Sequence, residues 1–155
     1  MTSEPEKSQE RKNITRSNEE SMWLDFVHNP KAIAHLYREV PSLEAVEVLD
    51  IHLDRGGPTL HVSLNMARFA DNCPARWEPE SNTVQVQLDF IEFNELKIDG
   101  FTKSPILDFS IKGLPGQITV EAKGHNMKIH FICHTIYIQK VTGYINTERT
   151  STAMS

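Results

Sequence analysis

Apolar residues recur at every second position through most of this chain, the period of a strand with one buried and one wet face. Leu49, Ile51 and Leu53 alternate with polar residues, as do Leu60, Val62 and Leu64, and Arg55-Gly56-Gly57-Pro58 separates the two runs. A Gly-rich break between alternating runs predicts an antiparallel hairpin. A turn centred between Gly56 and Gly57 places Leu53 opposite Leu60, Ile51 opposite Val62 and Leu49 opposite Leu64. All six then share one face, which a slip of one residue would destroy. The same register sets His52 opposite His61, Asp54 opposite Thr59 and Asp50 beside Ser63 on the polar face.

The alternation resumes at Val84, Val86, Leu88 and Phe90, and its phase flips at Ile91 and Phe93, which predicts a bulge or bend. Leu96 and Ile98 carry a short strand. Leu107, Phe109 and Ile111, then Ile118, Val120 and Ala122, then Met127, Ile129 and Phe131 form a three-stranded meander. Turns centred on Leu114-Pro115 and Gly124-His125 pair Ile111 with Ile118, Val120 with Ile129, and Glu121 with Lys128. The segment from Ile132 to Val141 continues strand-like. Nothing alternates strand with helix, so the pattern excludes a parallel sheet. It predicts a mainly β (α+β) protein: about seven or eight antiparallel strands in a curved sheet, sandwich or open barrel.

Before the first strand the period changes. Trp23, Phe26 and Val27, then Ile33, Leu36 and Tyr37, follow helical spacing up to Pro41. Asn29-Pro30 reads as an N-cap followed by proline at the first helical position, so a short N-terminal helical segment is expected to pack on the sheet. Residues 1–20 and 145–155 are polar, with no apolar period, and read as flexible tails flanking a single domain over 22–144. The stretch Ala67–Asn82 is long and irregular, the kind of loop that often carries function. Its Trp77 reads as either an exposed binding anchor or a cover for a sheet edge, the second being the more common fate of such a residue.

Composition narrows the function. The chain has 155 residues, two cysteines and a formal net charge of −5. That charge argues against a general nucleic-acid binder, which needs clustered Lys and Arg. No apolar run approaches the ~18 residues of a membrane span, and no export signal opens the chain, so a cytoplasmic protein is expected. Cys73 and Cys133 are too few for a disulfide framework. Acid is clumped: Glu44, Glu47, Asp50 and Asp54 lie in one stretch without a basic residue, and Asp89, Glu92, Glu95 and Asp99 cluster against Lys97 alone. Such clumps are either solvated surface or a field that steers a basic partner.

Catalytic chemistry finds little support. His52 and His61 are cross-strand neighbours with Asp50 and Asp54 on their face, the start of a metal site, but a zinc site needs about three converging protein ligands and no compact ligand motif supplies the third. A small metal- or ligand-binding β-barrel using the His52/His61 face is the alternative reading. Cys133 falls on the apolar face of Ile129 and Phe131, as a buried structural thiol would. No nucleophile elbow, phosphate loop or dinucleotide fingerprint occurs. No cofactor is implied, and a non-enzyme is expected.

An ordered series of residues resembles a known family. Trp23, Phe26 and Asn29, an apolar helix, Pro41-Ser42, Glu47-Val48-Leu49 and Leu53-Asp54-Arg55 lead into the strand ending at Phe90, the Leu96–Phe101 segment and Phe131-x-Cys133. This series, over roughly residues 22–144, resembles the immunity protein 50 family. One departure stands out: members often read Phe-His-Asp-Ala-Glu-Val after Pro-Ser, where this chain has Leu43-Glu44-Ala45-Val46-Glu47-Val48. The resemblance implies a bacterial protein that neutralises a cognate polymorphic toxin encoded nearby, with many such toxins being basic nucleases. Glu44, Glu47, Asp50 and Asp54, with Trp77 from the 67–82 loop, are the residues expected to contact it.

Overall fold

In the computed structural model, which describes residues 22–103 and 105–149, eight strands form one open antiparallel sheet. They are β1 (Val46–Asp54), β2 (Thr59–Asn65), β3 (Thr83–Ile91), β4 (Asn94–Asp99), β5 (Ile106–Leu114), β6 (Gln117–Gly124), β7 (Lys128–Cys133) and β8 (Thr135–Tyr144). Their order in the sheet is β4-β7-β6-β5-β1-β2-β3-β8. The expected tail at 1–20 lies outside the described residues, as does most of the one at 145–155. Within the described part of the latter, Asn82 and Asn146 exchange two hydrogen bonds, and Arg149 donates to the carbonyl of Met66 at 2.9 Å.

The sheet is bent double. β3 and β7 stand five places apart in it, which would separate them by ~24 Å if it were flat. Yet the Phe90 and Phe131 rings they carry meet edge-on, 4.9 Å between centroids. One core therefore fills the space between a β1-β2-β3-β8 half and a β5-β6-β7-β4 half, and it draws on Val46, Leu64, Val86, Phe90, Val120, Phe131 and Ile136. The halves meet at both ends. β1 pairs with β5 only at Val46–Leu107 and Glu47–Ile106. At the other end β7 runs into β8 through one residue, His134, whose N–H donates to the carbonyl of Ile91 and whose carbonyl accepts from Gly116.

The opening hairpin forms in the expected register as far as Asp50: Leu53 pairs with Leu60, His52 with His61, Ile51 with Val62. Between Val48 and Asp50 a bulge then shifts it, so that Val48, not Leu49, faces Leu64. The expectation that all six leucine, isoleucine and valine residues share a buried face fails on β1. Leu60, Val62 and Leu64 are buried, whereas Leu49 and Leu53 are exposed and Ile51 is half-buried. β1 enters the core through Val46 and Val48 and then runs past the start of β5, so its far half is left largely exposed.

The meander holds the expected faces with partners moved by two residues: Ile111 pairs with Val120, Val120 with Phe131, and Glu121 with Ser110 and His130 rather than Lys128. Both turns sit one residue later than their glycines suggested. Leu114 pairs with Gln117 around Pro115-Gly116, with Gly116 at φ 91° supplying the positive φ that a Pro-Gly corner requires. Gly124 is a strand residue, its N–H donating to the carbonyl of Met127. It is glycine because a Cβ there would strike the Ile106 carbonyl and the Leu107 side chain. The phase flip after Phe90 is the corner, with Glu92 at φ 55°, where the chain crosses from β3 to β4 in the other half.

The N-terminal segment is less helical than its spacing predicts. A 3-10 turn spans Met22–Phe26 and a single α-helical turn, α1, spans Lys31–Ala34. Asn29 does not cap α1. Its amide bonds both the N–H and the C=O of Ile138 on β8, at 2.8 and 2.9 Å. Trp23, Ile33, Leu36 and Tyr37 are buried, as the spacing required. The irregular loop is strapped to this segment: Asp71 and Asn72 N–H groups donate to the carbonyl of Leu36, and Tyr37 Oη donates to that of Arg68 at 2.7 Å. Burial pushes the Tyr37 hydroxyl up to about 12, against a smaller opposing pull from the Arg68 guanidinium.

Candidate recognition surface

Strand alternation puts Asp50, His52 and Asp54 of β1, His61 and Ser63 of β2, Asp89 of β3 and Tyr137 and Gln139 of β8 on the face away from the core. Pairing aligns four of them into a row across four strands: His52–His61, His61–Asp89 and Asp89–Tyr137. The His52 and His61 rings lie 5.6 Å apart, and His28 stacks on Tyr137 at 4.6 Å. Asp89 organises the centre. It is only 8% exposed, accepting from His61 Nδ1 at 2.7 Å on one oxygen and from Gln139 Nε2 at 2.8 Å on the other. Both carboxylate oxygens are thus engaged, as a buried charge requires. The pairing fixes the His61 ring with its Nε2 3.9 Å from Asp54 Oδ2.

This is not the surface acid that its place among Asp89, Glu92, Glu95 and Asp99 suggested. The signal that would have found it was the register of β2 on β3, which brings Asp89 to His61. Among the described residues no three or more His, Cys, Asp or Glu side chains are grouped to hold a metal ion. Cys133 is buried, and burial pushes its thiol up to about 12, far from a reactive thiolate.

The acids of the first strand have three different circumstances. Asp50 is exposed and makes no side-chain bond among the described residues. Asp54 is exposed and accepts from the N–H of Gly56 at 3.0 Å, shaping the hairpin tip. Glu47 is half-buried and accepts from Asn65 Nδ2, whose oxygen in turn accepts from Tyr144 Oη. These three share a strand. Glu44 is exposed but stands outside it, beyond Ala45 at φ 55°. Trp77 is apart from all four. It is 8% exposed, packs near Phe69 and lies flat enough on β8 that a Cβ at Gly143 would run into its ring. Its burial supports the edge-covering reading and removes it as an exposed anchor.

The arrangement is that of a small antiparallel β scaffold presenting an ordered polar face. The sequence model of the family described as Immunity protein 50 matches residues 29–144, and the chain belongs to that family. No curated protein and no solved structure matches it. No helix among the described residues is long and apolar enough to cross a membrane.

Proposed function

We propose that this chain acts in the bacterial cytoplasm as an immunity protein that neutralises a cognate polymorphic toxin by binding it, without catalysis. Membership of the Immunity protein 50 family supports the class of activity. The observation that carries the mode is the exposed acid of the first hairpin, with Asp50 open to solvent and Asp54 at the tip, on a chain of net charge −5. Carboxylates held on a sheet and open to solvent steer a basic partner, such as a nuclease, into encounter. Glu44 and Glu47 extend the acidic rim toward the start of β1.

Co-expression with the toxin encoded beside it tests the function: rescue of growth is the expected result, and death of cells carrying both sinks the reading. Replacing Glu44, Glu47, Asp50 and Asp54 by their amides tests the surface. Association should slow about tenfold at low ionic strength and lose most of its salt dependence. An unchanged on-rate at low salt would exclude the acidic rim.

A further inference from the structure

A sheet edge with unpaired backbone is a template for another strand, and soluble proteins cover or charge their edges for that reason. Besides the end of β5 past Phe109, which pairs with β6 alone among the described residues, this sheet has three stretches of edge. β8 is covered: His28 N–H donates to the carbonyl of Ile136, and Asn29 takes both polar groups of Ile138. β4 is charged and kinked, with Glu95, Lys97 and Asp99 exposed and Glu95 at φ 54° where its pairing with β7 shifts. The third is the far half of β1. Val48 N–H donates to the carbonyl of Pro105; beyond it Leu49 bulges and residues Asp50–Asp54 pair with β2 alone among the described residues.

This uncovered edge is also apolar. Leu49 is 41% exposed and Leu53 50%, and across the gap Phe101 is 76% and Ile106 53% exposed. Beside Leu49 and Phe101 lies a cleft of about 280 Å³ lined chiefly by Leu49, Ile51, Phe101 and Met127, with Asp50 and Lys103 at its wall. Large apolar side chains gathered at one place, beside strand backbone with no neighbour, are the features of a docking site rather than of scattered surface leucines.

We propose that the Leu49–Asp54 edge of β1 takes an extended segment of the cognate toxin as an added strand, one that alternates apolar with basic side chains. The inference rests on the immunity reading above. The alternation follows from β1 itself. Ile51 and Leu53 point to the cleft side and Asp50, His52 and Asp54 to the other, so a strand laid alongside sets its own side chains over the same two faces. Apolar groups enter the cleft, and Lys or Arg groups meet Asp50 and Asp54. Main-chain hydrogen bonds hold the segment and the cleft selects it. The polar sequence of residues 1–20, with its mixed charges and no apolar period, does not fit the cleft.

The test uses the full chain with the catalytically inactivated toxin domain identified by co-expression rescue. Leu49→Lys with Leu53→Lys should weaken binding at least tenfold, while Leu114→Lys, at a still more exposed leucine by the β5–β6 turn, leaves it unchanged. Hydrogen exchange on the complex should slow amides of residues 49–54 and of one toxin segment with the stated alternation. Full affinity in the Leu49/Leu53 double variant, or protection confined to other strands, overturns the docking edge and leaves the immunity function standing. Failure of wild-type protein both to rescue and to bind removes the function and the edge together. Protection of residues 49–54 that grows with protein concentration in the absence of toxin assigns the edge to a second copy of this chain and overturns the proposal.

Discussion

Along β8 the chain closes its outer edge with backbone from residues 27–29 and with both ends of the Asn29 amide, whereas along Leu49–Asp54 no strand among the described residues lies on the outer side of β1. Both stretches carry alternating apolar residues. On β8, Ile136 and Ile138 point into a core roofed by the other half of the sheet and are buried. On β1, Leu49 and Leu53 lie past the point where β5 begins and stay exposed. The difference teaches that burial here is decided by what lies across the fold, and that an edge becomes available where the opposite layer ends.

Removing the β8 cover should have the largest effect on stability. Asn29→Ala leaves the N–H and C=O of Ile138 without partners, and at about 1–3 kcal/mol for each such group the loss should total ~2–6 kcal/mol in urea unfolding. Asn29→Asp keeps the acceptor and should lose about half as much. A change below ~0.5 kcal/mol in the alanine variant would mean that Asn29 does not hold the edge.

A baseline that touches neither edge comes from the core between them. The Cys133 thiol and the Tyr37 hydroxyl are both raised to about 12 in the folded chain, from 9.0 and 10.0. In the unfolded chain these groups lose their protons first, so the folded state binds more protons as pH rises. Their contribution is fully present below about pH 9 and is lost progressively toward pH 12. Unfolding midpoints should therefore fall steadily above pH 9, and Cys133→Ala should flatten the first part of that fall. A midpoint independent of pH over this range would contradict the burial of both groups.

The smallest stability effect belongs to the open edge. Leu49→Lys and Leu53→Lys should each change stability by no more than ~0.5 kcal/mol, because the side chains already stand in water. In the free protein, amides of residues 50–54 should exchange faster than those of Ile136–Ile138. A loss of several kcal/mol in either lysine variant would show that the edge is closed in solution.

Much of this was legible in the sequence. The alternation predicts about seven or eight antiparallel strands, and eight form; turn symmetry gives the His52–His61 pairing. The meander faces were also right, because a two-residue error in partner preserves side-chain direction. The partners themselves were misread because Gly124 looks like a turn residue. It is glycine to let β5 pass, a reason that lies at Ile106 and Leu107 and leaves no local trace. Asn29 was misread for the same kind of reason: followed by proline it has the local form of a helix cap, and its partner is Ile138, far along the chain. Leu49 and Leu53 were unreadable as exposed, since their alternation matches that of buried strands and only the extent of β5 separates them. Asp89 was within reach, needing one more step of register across β2 and β3.

The one-residue corner at His134 bears on how the chain assembles. β7 zips onto β6 across a tight hairpin, a local event, whereas β8, attached to it directly, pairs along its length with β3, which left the growing chain long before. Until β8 arrives, β3 has β2 on one side and nothing on the other. Loop closure over that distance makes the last pairing slow relative to the hairpins. A refolding experiment should accordingly show Phe90 and its neighbours on β3 reaching native protection after the β5–β6–β7 meander. Completion of the fold thus depends on the arrival of a strand whose partner lies far back in the chain.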